Sequence, residues 1–81
     1  MIMPDEIGFH DIGWARHALF EGKRVRRAGW NGRGMWLALQ FPGAVGGMTL
    51  PYVYMYTAQG DLVPWLCSQT DLLATDWELA E

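Results

Sequence analysis

The sequence predicts a small α+β domain, with one N-terminal helix followed by an antiparallel sheet of four to five strands and a short helical turn near residues 68–74. Three observations support this fold class. Apolar residues recur at helical spacing in one segment near the N-terminus. Short alternating segments follow, separated by turns rich in glycine and proline, as antiparallel strands usually are. The length of 81 residues matches a single domain.

The helix is predicted over residues 12–21. Asp11 precedes it and suits an N-cap, because its carboxylate can accept hydrogen bonds from the free N–H groups of the first turn. Gly22 follows it, where glycine commonly ends a helix. Residues 1–10 contain Pro4 and few packing residues, and they are predicted to be a loose N-terminal leader. The apolar face of the helix consists of Ile12, Ala15, Ala18 and Leu19.

Two strands are predicted on either side of a glycine-rich connection. Residues 23–28 alternate in the manner of a short strand, and residues 35–41 place apolar side chains on one face. Between them, residues 29–34 read G-W-N-G-R-G. Asn31 and Gly32 form a strong hairpin signal, because both residue types tolerate positive φ. A tight turn is therefore expected here.

The remaining segments complete the predicted sheet. A flexible loop at 42–51 leads to a strand at 52–58, whose three tyrosines share one face. A hairpin turn then leads to a strand at 62–65, and Pro64 places this strand at an edge because proline cannot donate to a ladder. The last two elements are a helical turn capped by Ser68 or Thr70 and a strand at 76–79.

Charge and cysteine usage exclude several classes of protein. The net charge of −3 argues against general nucleic-acid binding, which depends on many phosphate contacts. No apolar segment approaches the roughly 18 residues of a membrane span, and the N-terminus lacks the pattern of a signal peptide. Cys67 is the only cysteine, so no disulfide can form within the chain. A free thiol fits a reducing compartment, and a cytoplasmic protein without nucleic-acid or membrane partners is predicted.

A domain this short is marginal alone, because it buries only about 60% of the surface of its unfolded chain. The sequence has no His/Cys cluster with zinc spacing, so neither a metal nor another cofactor is predicted. Hydrophobic residues make up 51% of the chain and include five tryptophans. An aromatic-rich core or self-association must then supply the stability, and an obligate homo-oligomer is expected.

The sequence offers no catalytic constellation. Ser68, Asp71 and a histidine could be imagined as a triad. However, His10 and His17 are both N-terminal, far in sequence from the other two residues. No nucleophile elbow, metal motif or phosphate-binding loop is present. The chain is therefore not predicted to be an enzyme.

Residues 23–33 hold five of the six basic residues and the first candidate binding patch. Trp30, inside the glycine-flanked turn, either folds back into the core or forms a platform on which a base can stack. Asn31 could read a base edge, although asparagine is also the expected turn residue. Arg27 could pair with a phosphate. For the other basic residues before it, a solvated strand face is the simpler interpretation.

A second candidate patch begins at Trp65. Ser68 or Thr70 is expected to cap the helical turn, and the free N–H groups at such a start also favour a phosphate. Asp71 could accept a hydrogen bond from a ribose hydroxyl or an adenine amino group. The tyrosines of the strand at 52–58 are more typical of sheet packing or of an oligomer interface than of a ligand-binding wall.

The two patches together resemble a known family. The first block reads G-K-x-V-x-R-x-G-W-N-G over residues 22–32, followed by G-M-x-L over 34–37. The second block begins with residues 51–60 and continues as V-P-W-x-x-S-Q-T-D-x-L-A-x-D-W over 63–77. In this order they resemble the Thoeris anti-defence two family of phages and prophages, long classed as a domain of unknown function. The resemblance covers roughly residues 12–79.

This resemblance implies a function. Members of the family are homotetramers, built as dimers of dimers, that bind cyclic ADP-ribose isomers made by bacterial TIR enzymes. They hold the signal intact, so that the downstream NADase effector stays off, and some hold cyclic dinucleotides at a separate site. The implied function is a sponge, with residues 11–81 as a single ligand-binding domain whose partners are a cyclic nucleotide and further copies of the chain. Carried over by motif, the ligand contacts are Arg27, Trp30, Asn31, Trp65, Ser68 and Asp71.

Two other functions stay open at this point. A structural or protein-binding phage accessory would use the tyrosine strand as an interface and would bind no nucleotide. An enzyme would cleave a cyclic nucleotide or an NAD derivative, and ligand recovered unchanged would argue against it. Residues 1–10 have no counterpart in the shortest members of the family, and Cys67 stands where a smaller residue is expected. The loop at 43–50 is of a kind that varies, and loops often set ligand choice. The preferred cyclic nucleotide is therefore left open.

Overall fold

The computed structural model describes residues 10–43 and 47–80. Its elements in chain order are α1 (Ile12–Phe20), β1 (Val25–Arg27), β2 (Trp36–Gln40), β3 (Tyr52–Tyr56), β4 (Leu62–Pro64), α2 (Gln69–Leu72) and β5 (Trp77–Leu79). This order confirms the α+β class, the antiparallel sheet and the short second helix. The predicted leader lies outside the described residues, except for His10.

Both predicted ends of α1 are confirmed to within a residue. The Asp11 carboxylate accepts a hydrogen bond from the backbone N–H of Trp14 at 3.0 Å, as an N-cap does. Gly22, after the last turn, has a φ of 83°, a left-handed conformation that ends a helix and that glycine adopts without strain. The buried side of the helix consists of Ala15, Ala18 and Leu19.

The sheet joins the first and last strands of the described chain. Its order is β4-β3-β2-β1-β5, and every pairing between these strands is antiparallel. β4 lies at one edge, which confirms the position that Pro64 predicts. At the other edge, beside β5, His10 forms an isolated parallel bridge with Asp76. The register between β1 and β5 is Val25↔Leu79, Arg26↔Glu78 and Arg27↔Trp77.

The core lies between α1 and one face of the sheet. Directly paired residues of antiparallel strands point to the same face, so Val25 and its partner Leu37 lie side by side. These two residues and Trp77 are at most 1% exposed and pack against the buried side of α1. Trp77 is the largest of the fully buried side chains, so β5 supplies much of the core.

The opposite face of the sheet is aromatic. Trp36 stacks on its cross-strand partner Tyr56 with 5.2 Å between the ring centroids. The Arg24 guanidinium lies 4.8 Å from the Trp36 ring. The three tyrosines of β3 share this face, as predicted. We call the following half-buried residues the aromatic face: Trp36, Tyr52, Tyr54 and Tyr56.

The connection between β1 and β2 is not the tight Asn-Gly turn that the sequence predicts. Residues 28–35 form it, and neither Asn31 nor Gly32 has a positive φ, whereas Gly34 does, at 73°. The close approach of Met35 and Ala58 favours glycine at position 32, since an added Cβ would displace the flexible Met35 side chain and lie 3.0 Å from the Ala58 Cβ. Contacts with distant residues, described next, hold this longer loop in place.

Candidate functional site

Arg27 is held between two aspartates from the C-terminal part of the chain. Its Nε donates to Oδ1 of Asp76 at 2.8 Å, and its Nη1 donates to Oδ1 of Asp71 at 2.8 Å. The side chains of Arg27 and Asp71 are only 17% and 13% exposed, so water screens their attraction weakly. We call these three residues the arginine clamp.

The charges of the clamp reinforce one another. The hydrogen bond to Asp76 is the main reason that the pKa of Arg27 is raised, and the bond to Asp71 adds to it. In turn, Arg27 and the backbone N–H of Gly29 hold the pKa of Asp76 below its ordinary value. Two carboxylates face one guanidinium, so the clamp carries a formal charge of −1. Arg27 therefore offers little uncompensated positive charge to an anion.

The clamp also fixes the loop that carries Trp30. The indole Nε1 of Trp30 donates to Oδ1 of Asp71 at 3.1 Å, the same oxygen that accepts from Arg27. Oδ2 of Asp76 accepts from the backbone N–H of Gly29 at 2.8 Å, and the Asp76 carbonyl accepts from the N–H of Ala28 at 3.0 Å. Residues 28–35 are thus tied to a segment more than 40 positions away in the sequence.

α2 positions Asp71. The Ser68 hydroxyl accepts from the backbone N–H of Asp71 at 3.1 Å, so Ser68 is the N-cap and the alternative, Thr70, is not. The Asp71 carbonyl accepts from Nε1 of Trp77 at 3.2 Å, which attaches this short helix to the core. The carboxylate therefore reaches Arg27 from a fixed backbone.

Beside the clamp, a polar cleft of about 390 Å³ opens to solvent, within the size range of small-molecule sites. We call it the arginine cleft. It is lined by Arg26, Arg27, Ala28, Trp30, Gly32, Arg33, Gly34, Met35 and Glu78. Arg26 pairs with Glu78 at 2.8 Å, and both side chains are 42% exposed. Arg33 is exposed and has no salt-bridge partner within residues 10–43 and 47–80.

Trp30 has a packed side and an open side. Its ring meets the edge of Trp77 with 5.6 Å between centroids and packs against the core cluster. It is nevertheless only half-buried and lines the arginine cleft. The two interpretations of Trp30 as a core residue and as a stacking platform are therefore compatible, and its contact with a ligand stays a prediction.

A second cleft, of about 500 Å³, is apolar and lies between α1, the middle of the sheet and the segment before α2. Trp65, which is half-buried, lines it and meets the buried Trp77 with 6.1 Å between the ring centroids. We call it the apolar cleft. It is larger than the arginine cleft, but its lining offers one basic side chain, Arg16, and little for a phosphate to bind.

The structure brings together only part of the predicted site. Arg27, Trp30 and Asp71 share hydrogen bonds, and Ser68 joins them through the Asp71 backbone. Trp65 lines the apolar cleft, so it does not face the same space as Trp30. The remaining candidate, Asn31, is exposed and lines neither cleft.

Sequence reasoning missed four residues around Trp30. Arg26 and Arg33 stand in the basic stretch, whose density was the available signal, but nothing in the sequence distinguishes them from the other basic residues. Asp76 and Glu78 lie about 50 positions away and reach the site only through the pairing of β5 with β1. That pairing joins distant strands, and periodicity alone does not predict it.

The described part of the chain offers neither a metal-binding cluster nor a helix that could span a membrane. Residues 10–43 and 47–80 hold no group of three His, Cys, Asp or Glu side chains that could bind a metal ion. Neither α1 nor α2 is long and apolar enough to cross a membrane. Cys67 is exposed, and partial desolvation together with the negative charge of Asp71 raises the pKa of its thiol.

Comparison with known proteins agrees with the resemblance of the motifs. The family model described as the Thoeris anti-defense 2-like domain matches residues 10–80. The protein Thoeris anti-defense 2 of Bacillus phage SP01 is 32% identical to this chain over 81 aligned positions, which cover 84% of this chain and 91% of the phage protein. The matched region includes the clamp, the arginine cleft and all five strands. This chain therefore belongs to the Thoeris anti-defense 2-like family.

Proposed function

We propose that this protein acts for a phage against Thoeris immunity by binding a cyclic nucleotide signal, a cyclic ADP-ribose isomer, and holding it intact in the host cytoplasm. One observation carries the proposal. The half-buried indole of Trp30 and the arginines Arg26 and Arg33 line one cleft. An indole face stacks on a purine, and guanidinium groups bind phosphates. The cleft therefore offers partners for both chemical parts of a nucleotide.

The clamp makes Trp30 a fixed platform in this proposal. Its ring is held by the hydrogen bond to Asp71 and by the edge contact with Trp77. A side chain that is already ordered loses less conformational entropy when a ligand binds, which improves affinity. Arg27 then acts mainly through this ordering, while Arg33, which lacks a salt bridge within the described ranges, is the first candidate for contact with a phosphate.

The side chains that line the arginine cleft in the described part of the chain support capture without turnover, since they include no histidine, serine or cysteine. Arginine stays protonated in proteins and cannot serve as a general base. The carboxylate in the lining, Glu78, is paired with Arg26. A sponge must outcompete the immune receptor for its signal, so its Kd should be nanomolar or tighter, which corresponds to about −12 kcal/mol.

We also propose that the functional form is a homo-oligomer, most simply a tetramer as the family resemblance implies. The aromatic face lies opposite α1 and offers a second copy four half-buried aromatic side chains. Aromatic side chains are enriched at such interfaces. Light scattering should give a mass that is a multiple of 9.2 kDa, most simply fourfold, and a monomer at micromolar concentration would contradict this proposal.

A protein-binding accessory is the second candidate function, and the aromatic face favours it, since the same surface would suit another protein. Two substitutions separate the candidates. Removing the Trp36 ring should disrupt association, whereas removing the Trp30 ring should affect nucleotide binding. If no nucleotide binds and a protein partner is lost with Trp36, the accessory function is correct.

Calorimetry against a panel of cyclic ADP-ribose isomers and cyclic dinucleotides tests the main proposal. Trp30→Ala should weaken binding by about 1–3 kcal/mol, the usual contribution of one stacked base. Trp30→Phe, which keeps an aromatic platform, should lose less. Trp14→Ala is the matched control, because Trp14 stacks on His10 and lines neither cleft. Ligand released by heat should be intact, and a hydrolysed product that accumulates with time would show an enzyme instead.

A further inference from the structure

The three arginines of the arginine cleft are compensated to different degrees. Arg27 bonds two carboxylates and is largely buried. Arg33 has no salt bridge to any residue of the described ranges. Arg26 is intermediate, because it bonds one carboxylate, that of Glu78, and both side chains remain 42% exposed. The availability of Arg26 to an anion therefore depends on Glu78.

Glu78 reaches Arg26 because the two residues are directly paired across β1 and β5. The bond joins Nε of Arg26 to Oε2 of Glu78 at 2.8 Å, and both residues line the cleft. Nε is one of the donors that a guanidinium uses when it grips a phosphate in bidentate fashion. A phosphate that grips Arg26 through Nε must then displace the carboxylate.

We propose that Glu78 is an internal competitor for phosphate and lowers the affinity of the arginine cleft for anions. In the free protein the Glu78 carboxylate occupies Arg26, and a pyrophosphate-bearing ligand takes its place, with Arg33 as the second cation. This inference rests on the proposed function, since it assumes that the nucleotide binds in this cleft. Exposed ion pairs contribute only about 0–1 kcal/mol. Displacing the Glu78 carboxylate from Arg26 therefore costs little free energy, and the pair does not prevent a ligand from binding.

Glu78→Gln tests the proposal directly, because it removes the charge and keeps the size of the side chain. Binding should be measured by calorimetry with two probes, cyclic ADP-ribose and inorganic pyrophosphate. Both should bind about two- to fivefold tighter to Glu78→Gln than to the wild type. The upper figure is the contribution of an exposed ion pair, converted to a ratio of dissociation constants. Arg26→Gln should weaken binding of both probes. When Glu78→Gln is added to Arg26→Gln, the affinity should not rise above that of Arg26→Gln alone.

Glu21→Gln is the matched control, because it makes the same change in net charge away from the cleft. Glu21 pairs with His17 and Lys23 at the end of α1 and does not line the arginine cleft. If Glu21→Gln raises the affinity as much as Glu78→Gln does, the effect is one of overall charge and the proposal is wrong. Thermal melting of each variant checks that the fold is kept, and Arg26→Gln provides an independent test if Glu78→Gln does not fold.

The outcomes separate this inference from the function on which it rests. If cyclic ADP-ribose binds and Glu78→Gln leaves its affinity unchanged, the proposed function stands and the competitor role is wrong. If cyclic ADP-ribose does not bind but pyrophosphate binds tighter to Glu78→Gln, the cleft is an anion site controlled by Glu78 and the proposed ligand is wrong. If neither probe binds any of these proteins, both are overturned.

Discussion

Arg26 and Arg27 are neighbours in β1, yet the strand places them on opposite faces of the sheet and in different environments. Arg27 lies on the side of Trp77 and is held by two carboxylates with little exposure. Arg26 lies on the other side, where one half-exposed glutamate pairs with it. The same residue type therefore becomes structural or available according to its burial and to the number of its partners.

The largest expected effect is on stability, from Asp71→Ala. The Asp71 carboxylate accepts hydrogen bonds from Arg27 and Trp30, and its loss leaves a largely buried guanidinium with one partner. The free energy of unfolding should fall by about 3 kcal/mol, as measured by urea denaturation. Asp61→Ala is the control, since Asp61 is exposed at a hairpin turn, and it should cost much less. Equal losses in the two variants would contradict the structural role of the clamp.

A smaller effect should distinguish the two arginines when each is replaced by lysine. An ammonium group cannot donate along two fixed directions as a guanidinium does. Arg27→Lys should therefore cost about 1–2 kcal/mol, because one bond to Asp71 or Asp76 is lost. Arg26→Lys should cost under about 0.5 kcal/mol, since the pair that it weakens is half-exposed. Melting curves of the two variants measure these losses in the free energy of unfolding. Equal losses would show that the two arginines do not differ in their structural role.

Acid should weaken the clamp. The pKa of Asp76 in the folded protein lies below its ordinary value of 3.8, chiefly because Arg27 donates to it. The unfolded chain therefore binds this proton more readily, and stability is lost as pH falls below about 4 through the lowered pKa of the folded state. Between pH 5 and pH 3 the Tm of the wild type should fall further than that of Asp76→Asn. Parallel curves would show that Asp76 contributes nothing to the pH dependence.

The smallest effect is expected at Cys67, which lies near the clamp but makes no bond to its side chains. Its thiol contacts the Ser68 carbonyl at 3.4 Å. Since the pKa of the thiol is raised, little thiolate forms at neutral pH. Cys67→Ser should change the free energy of unfolding by under about 0.5 kcal/mol and leave ligand affinity unchanged. A marked loss of affinity would place the thiol in the binding site after all.

Local chemistry explains which parts of the fold the sequence could predict. Four predicted roles are confirmed, and each depends only on neighbouring backbone. They are the N-caps Asp11 and Ser68, the helix end at Gly22 and the edge strand at Pro64. The turn at Asn31 was predicted wrongly, because the loop is held by Asp76 from far along the chain and local φ preferences do not decide its shape.

The candidate site was predictable only in part, for the same reason. Trp30 and Asp71 could be named from their residue types, and the structure joins them. Arg27, which bonds the same Asp71 oxygen as Trp30, is paired with two carboxylates that the sequence does not reveal, and its contact with a phosphate stays a prediction. Glu78 could not be identified at all, since its role depends on a strand register that joins residues 52 positions apart.

The pairing of β5 with β1 also bears on how the protein is made. During synthesis, α1 and the first four strands emerge from the ribosome before Trp77, which the core needs. Until then Val25 and the buried side of α1 lack that covering, and the loop around Trp30 lacks Asp71 and Asp76. Contacts between distant residues also slow folding. The arginine cleft can therefore form only after the segment that carries Asp71, Asp76 and Trp77 has left the ribosome.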